Sequence, residues 1–184
     1  GPNIGVMIPV PQYPLYTATL AMLNGIPVEY YLNESEDWSL SLEELERSLK
    51  EAKAKGIETK ALVLINPANP TGSILTDKNL KDLIHFCRRE GLVILADEVY
   101  QENIYDPEGK PFKSVKRILH EMGSEYSETV ELISFHSTSK GLIGECGRRG
   151  GYFECHGLDP LVMEQVFKVA SISLCSNVMG QIMV

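Results

Sequence analysis

The feature that most constrains this chain is a rhythm: short apolar runs alternate with stretches of helical pattern over the first hundred residues. Gly5 to Val10 is followed by Leu15 to Leu23, Val28 to Leu32 by Leu42 to Ala54, Ala61 to Ile65 by Leu80 to Arg89, and then comes Leu92 to Ala96. Runs of this length bounded by turn residues read as buried strands, and the segments between them as helices with one apolar face. A strand that must meet a parallel neighbour needs a crossover long enough to hold a helix, so the alternation predicts an α/β fold with a mostly parallel sheet. A content of 43% hydrophobic residues in 184 is enough for one sizeable core, so a single domain is expected.

Local signals place several helix ends. Ser41 and Glu44 form a capping box ahead of Leu42, Leu45 and Leu49, and Gly56 stands where a left-handed residue closes a helix. Thr76 caps the next helix and Gly91 ends it. Further on, the pattern predicts a helix from Ser114 to Met122, strands from Val130 to Phe135 and Gly151 to Glu154, and a helix from Leu161 to about Ile172. Gln101 to Phe112, with Asp106, Pro107, Glu108, Gly109 and Pro111, reads as an exposed loop.

Composition excludes several classes of function. A net charge of −8 without a long basic run disfavours nucleic acid and anionic membrane as partners. Cys87, Cys146, Cys155 and Cys175 are scattered without a CxxC pair, which fits reduced thiols in an intracellular protein, and the Asn33-Glu34-Ser35 sequon is then a coincidence. There is no apolar stretch of membrane-spanning length. His85, His120, His136 and His156 have no spacing suited to a metal, and Cys155-His156 alone is too little, so none is expected. Neither GxxxxGK[ST] nor GxGxxG after a strand is present, which sets nucleotide binding aside.

In an open α/β sheet, ligands collect where parallel strands end. Three polar clusters stand at such ends. Asn66-Pro67-Ala68-Asn69-Pro70-Thr71-Gly72 follows the strand at Ala61 to Ile65; by turn chemistry alone it is a rigid turn presenting amide groups. Asp97-Glu98-Val99-Tyr100 follows Leu92 to Ala96 and sets a carboxylate at the end of a buried strand with no cation beside it in sequence. Such an acid caps a helix, pairs with a charge, or meets a ligand. Ser137-Thr138-Ser139-Lys140-Gly141 leads to Gly144, Gly147 and Arg148-Arg149-Gly150-Gly151-Tyr152; read bare it is a solvated turn, yet its hydroxyls, amides and guanidinium groups suit a phosphate and its lysine suits a Schiff base.

Taken together and in this order, the clusters resemble the fold-type I aminotransferases of pyridoxal phosphate across the whole chain. The resemblance implies a three-layer αβα architecture, with residues 1–184 as an incomplete large, cofactor-binding domain. A phosphate loop upstream and a small domain downstream would lie outside them. It implies that Lys140 carries the cofactor as a Schiff base and also moves protons, that Asp97 pairs with the pyridine nitrogen, and that Asn69 and Tyr100 bond the phenolic oxygen. Tyr13, in Pro11-Gln12-Tyr13-Pro14, would stack on the ring, while Ser137, Ser139 and Arg149 would hold the phosphate. Arg149 heads an RxGY pattern, whereas a spacing of eight residues from Lys140 selects Arg148.

Within that superfamily, PQYPLY, LADEVYQEN, SFHSTSKG, GECG and RGGY resemble the alanine aminotransferases. This implies alanine and 2-oxoglutarate as substrates, a homodimer, and a cytosolic or mitochondrial setting. The alternatives are another enzyme on the same cofactor, of the kynurenine aminotransferase or aminocyclopropane-carboxylate synthase type, and a cofactor-silent binding or dimerisation module. Retention of both Asp97 and Lys140 weighs against the silent module, because a scaffold has no physical need for either.

Overall fold

The computed structural model describes residues 3–184. Its frame is a six-stranded sheet in the order β2-β1-β3-β4-β5-β6, made of β1 (Ile4–Val10), β2 (Ile26–Tyr31), β3 (Glu58–Ile65), β4 (Val93–Asp97), β5 (Leu132–Ser137) and β6 (Gly151–His156). The first five run parallel, and β6 returns antiparallel to β5. The helices are α1 (Leu15–Met22), α2 (Leu42–Ala54), α3 (Asp77–Glu90), α4 (Val115–Glu121), α5 (Ser124–Ser127), α6 (Pro160–Ala170) and α7 (Val178–Met183).

The strand order decides which face each helix covers. From β1 the chain moves outward to β2, then back across β1 to β3, and onward in that same direction to β4 and β5. Right-handed crossovers in opposite directions land on opposite faces, so α1 stands apart from α2, α3 and α4. The larger core lies on the α2–α3–α4 face and includes Met7, Leu62, Leu64, Leu83, Ile94, Ala96 and Ile118. On the other face Ile8, Val63 and Ile65 pack with Tyr16, Leu20 and Leu95. Adjacent strand residues divide between the two, as the two-residue period requires.

Local chemistry accounts for the helix ends. Thr76 and Asn79 complete a capping box, and Gly91 ends α3 at φ +65°. Ser41 Oγ accepts from the Glu44 N–H as expected. The return half of that box is not made, because the Glu44 carboxylate instead accepts from the Tyr31 N–H and pairs with Arg47. The strand expected from Val130 begins at Leu132, since the Val130 N–H is taken by the Tyr126 carbonyl in the turn after α5. α6 stops at Ala170, short of the expected Ile172, and the short helices α5 and α7 were not legible as periodic segments. The segment from Gln101 to Phe112 is irregular and largely exposed, as its turn residues predict.

The two-residue period also sets the direction of an acid. Glu98 continues the face of Ile94 and Ala96, is only 5% exposed, and its Oε1 accepts from the Val115 N–H at 2.7 Å. It ties the end of β4 to the start of α4. Burial, reinforced by the charge of Asp97, pushes its carboxyl up to about 7 against the one lowering influence, the Val115 hydrogen bond.

Two outcomes follow for stability. Leu83 is fully buried whereas Leu142 is 92% exposed, so urea unfolding should show Leu83→Ala losing about 2–4 kcal/mol and Leu142→Ala close to none. For Glu98 the folded value lies above the ordinary 4.5, so the folded state binds the proton more tightly than the unfolded one. That contribution, on the order of 3 kcal/mol, is complete below pH about 4.5 and is lost as pH rises through about 7. Glu98→Gln keeps an acceptor for Val115 but cannot ionise. Its stability relative to the native chain should therefore rise across that window, and parallel pH profiles would contradict the assignment.

Candidate functional site

Because β1, β3, β4 and β5 are parallel, their C-terminal ends share one edge of the sheet, and the register sets Ile65 beside Asp97 and Asp97 beside Phe135. The order reverses between β1 and β3, where neighbouring chains leave in opposite directions, the place where open α/β sheets commonly hold a ligand. The loops carrying Tyr13 and Asn69 start at that point. Those carrying Tyr100 and Lys140 start one and two strands further along.

The loop after β3 is braced from within. Asn66 is fully buried, its Oδ1 accepts from the Leu75 N–H at 3.0 Å, and its own N–H donates to the Asp97 carbonyl at 2.9 Å. Thr71 and Ser73 hydroxyls pair at 2.9 Å. On this base Asn69 Nδ2 donates to the Tyr100 hydroxyl at 3.4 Å, linking the first cluster to the second. Lys140 Nζ lies 5.7 Å from the centre of the Tyr100 ring, which brings in the third. A cleft of about 290 Å³ is lined by Asn69, Gly72, Tyr100 and Asn103, and a second of about 370 Å³ by Ser137, Lys140, His136 and Tyr152.

No ion pair among the described residues engages Asp97 or Lys140. Two donors satisfy Asp97 instead. The Tyr16 hydroxyl donates to Oδ2 at 2.5 Å and the Val99 N–H to Oδ1 at 3.3 Å. Burial first, then the charge of Asp97, pushes the Tyr16 hydroxyl well above the ordinary phenol range, so it remains a protonated donor.

Lys140 sits in a tightly tied loop. The Gly141 N–H donates to Asn103 Oδ1 at 3.0 Å, and the Asn103 N–H returns to the Tyr100 carbonyl at 2.8 Å. Thr138 is buried and binds the Gly150 carbonyl through both its N–H and its hydroxyl. Ser137 Oγ accepts from the Ser139 N–H at 3.3 Å.

Not every expected residue converges. Tyr13 follows β1 but is 50% exposed. Arg149, at φ +52°, turns back on its own loop, where Nη1 donates to the Cys146 carbonyl at 2.9 Å, and its hydrogen bonds do not reach Ser137 or Ser139. Two residues given no role from sequence enter the site: Tyr16 and Asn103. The i, i+4 pair Tyr16 and Leu20 was a visible signal of an apolar helix face, but nothing in the sequence named Asp97 as its partner. A hollow of about 370 Å³ between Asp37, Trp38, Asp77 and Lys110 is as large as the one at Lys140, yet it is lined by none of the candidate site residues.

One edge of the sheet thus gathers an amine, an acid without a cation partner, an amide–phenol pair and hydroxyls in a glycine-rich turn. No group of three or more His, Cys, Asp or Glu side chains suited to a metal occurs among the described residues, and no helix of the structure is long and apolar enough to cross a membrane.

Comparison with known proteins bears on this arrangement. The chain is 53% identical over 182 residues to glutamate–glyoxylate aminotransferase 1 of Arabidopsis thaliana, covering 99% of this chain and 38% of that protein. It is 54% identical over 177 residues to alanine aminotransferase 2 of Xenopus tropicalis, covering 96% and 33%. Among solved structures, an alanine aminotransferase from Pyrococcus furiosus superposes with a TM-score of 0.80 at 29% identity, over 98% of this chain and 42% of that one. A single mutant of the aspartate aminotransferase of Thermus thermophilus, at 23% identity and a TM-score of 0.78 over 98% and 42%, shares the fold. The chain thus spans a little over a third of the length of such relatives. The family model for class I and II aminotransferases matches residues 2–184, and the chain belongs to that family.

Proposed function

We propose that this chain forms the cofactor-holding part of a pyridoxal-phosphate-dependent aminotransferase that exchanges amino groups between alanine and 2-oxoglutarate, giving pyruvate and glutamate. The observation that carries this reading is the meeting of Asp97, the Asn69–Tyr100 pair and Lys140 at one sheet edge, with Asp97 and Lys140 outside any ion pair. The choice of substrates leans on relatives named alanine aminotransferase at 51–54% identity. A second reading, glutamate with glyoxylate, is favoured by the similarity to the Arabidopsis protein of that name.

Each residue would have a distinct task. Asp97 would hold a proton on the ring nitrogen, since an adjacent negative charge favours the protonated form. Asn69 and Tyr100 would bond the ring oxygen. Ser137, Ser139 and the guanidinium of Arg149 would anchor the phosphate, after Arg149 leaves Cys146, and Tyr13 would cover the ring face. Lys140 Nζ would form the covalent link and then carry the proton between substrate carbon and cofactor. When bound, the cofactor supplies the electron sink. The family resemblance supports a homodimer as the working unit, and relatives whose names include "mitochondrial" support a mitochondrial or cytosolic setting.

Borohydride reduction of the full-length enzyme carrying this chain, followed by peptide mapping, should give a pyridoxyl adduct on Lys140. The same preparation should release pyruvate from alanine when 2-oxoglutarate is supplied; turnover only with glutamate and glyoxylate would select the second reading, and an adduct on Lys110 or Lys168 would refute the site. Arg149→Ala should weaken cofactor binding by about tenfold or more, and Arg148→Ala by much less, because a fixed guanidinium fork is poorly replaced. The reverse order in a cofactor titration would assign the phosphate to Arg148.

A further inference from the structure

Tyr16 has no part in the function proposed above, yet it makes the shortest side-chain contact to the central acid of the site. We infer that Tyr16 is a positioning residue for the cofactor: its hydroxyl fixes the rotation of the Asp97 carboxylate, so that one face of that carboxylate is presented to the ring nitrogen. The inference rests on the pyridoxal-phosphate reading and extends it to a residue on another element.

The geometry carries it in three steps. First, strand parity puts Asp97 on the same face of the sheet as Leu95, and Leu95 packs in the cluster that holds Tyr16 and Leu20. The acid and the helix α1 therefore meet across 81 residues of sequence, with Tyr16 Oη at 2.5 Å from Oδ2. Second, the two donors to Asp97 use different oxygens, Tyr16 on Oδ2 and the Val99 N–H on Oδ1. A single donor leaves a carboxylate free to swing about Cβ–Cγ; one donor on each oxygen sets its plane. Each oxygen still has a lone pair to offer. Third, the ring of Tyr16 is itself held by packing against the cluster of Ile8, Val63 and Ile65, so the hydroxyl is delivered from a rigid support and not from a loop. Preorganisation of this kind removes the ordering cost from ligand binding.

The rival explanation is that the bond is only a strut between α1 and β4. A double-mutant cycle in the full-length enzyme separates the two. The native enzyme, Tyr16→Phe, Asp97→Asn and the double variant are titrated with pyridoxal phosphate, and the circular dichroism of the bound chromophore is recorded, since that signal reports how rigidly the ring is oriented. Tyr16→Phe should weaken cofactor binding on the order of tenfold and reduce the signal per bound cofactor. In the Asp97→Asn background the same change should alter affinity less than twofold. Tyr16→His, whose ring N–H can still donate, should recover part of the loss, and it substitutes if Tyr16→Phe does not fold. Equal losses in both backgrounds, native affinity and dichroism in Tyr16→Phe, or a fully folded Tyr16→His as impaired as Tyr16→Phe would each overturn the inference. Failure of the native enzyme to bind pyridoxal phosphate at all would instead refute the cofactor reading, and this inference with it.

Discussion

Parallel strands joined by right-handed crossovers deliver all their C-terminal ends to one edge of the sheet, and nearly everything of chemical interest in this chain depends on that constraint. Asn69, Tyr100 and Lys140 are far apart in sequence, but they follow consecutive neighbours β3, β4 and β5, so their loops stand side by side. The reversal between β1 and β3 sends the chains that follow them to opposite faces of the sheet.

The two-residue period of β4 divides consecutive acids between different tasks. Asp97 falls on the α1 face and meets the Tyr16 hydroxyl, while Glu98 falls on the α4 face and caps Val115. Neither acid has a cation as a hydrogen-bond partner; both are satisfied by neutral donors. A hydrogen bond to a charged group contributes roughly 1.5–3 kcal/mol, and an unmet buried carboxylate costs more than that, so each contact is close to obligatory. Asp97 is met by two donors, neither of them a cation. Glu98, more deeply buried, has its carboxyl raised to about 7 and serves the architecture.

The lysine loop follows the same logic with backbone partners. Asn103 joins the loop after Tyr100 to the amide of Gly141, and Thr138 clasps Gly150, so the turn around Lys140 is bounded on both sides by hydrogen bonds that leave its amine free of them. Hydrogen bonds on both sides of the turn restrict where the flexible lysine side chain can reach.

Much of this was legible in the residues. The alternation of apolar runs with helical patterns determined the α/β class; Leu42–Ala54 emerged with its expected bounds, and Thr76 and Gly91 closed α3 as their chemistry requires. Each polar cluster at a strand end also has an ordinary structural reading as a turn or a cap, and only their joint order, through the family resemblance, singled out Asp97, Asn69, Tyr100 and Lys140. Tyr16 and Asn103 stayed silent, and the orientation of Arg149 was not foreseen. Periodicity is local: it assigns a residue to a face of its own element, whereas the partner across that face depends on strand order and crossover direction. Only the tertiary structure brought α1 over Asp97, because the meeting of Tyr16 with an acid 81 residues away is decided by which way the chain turned after β1.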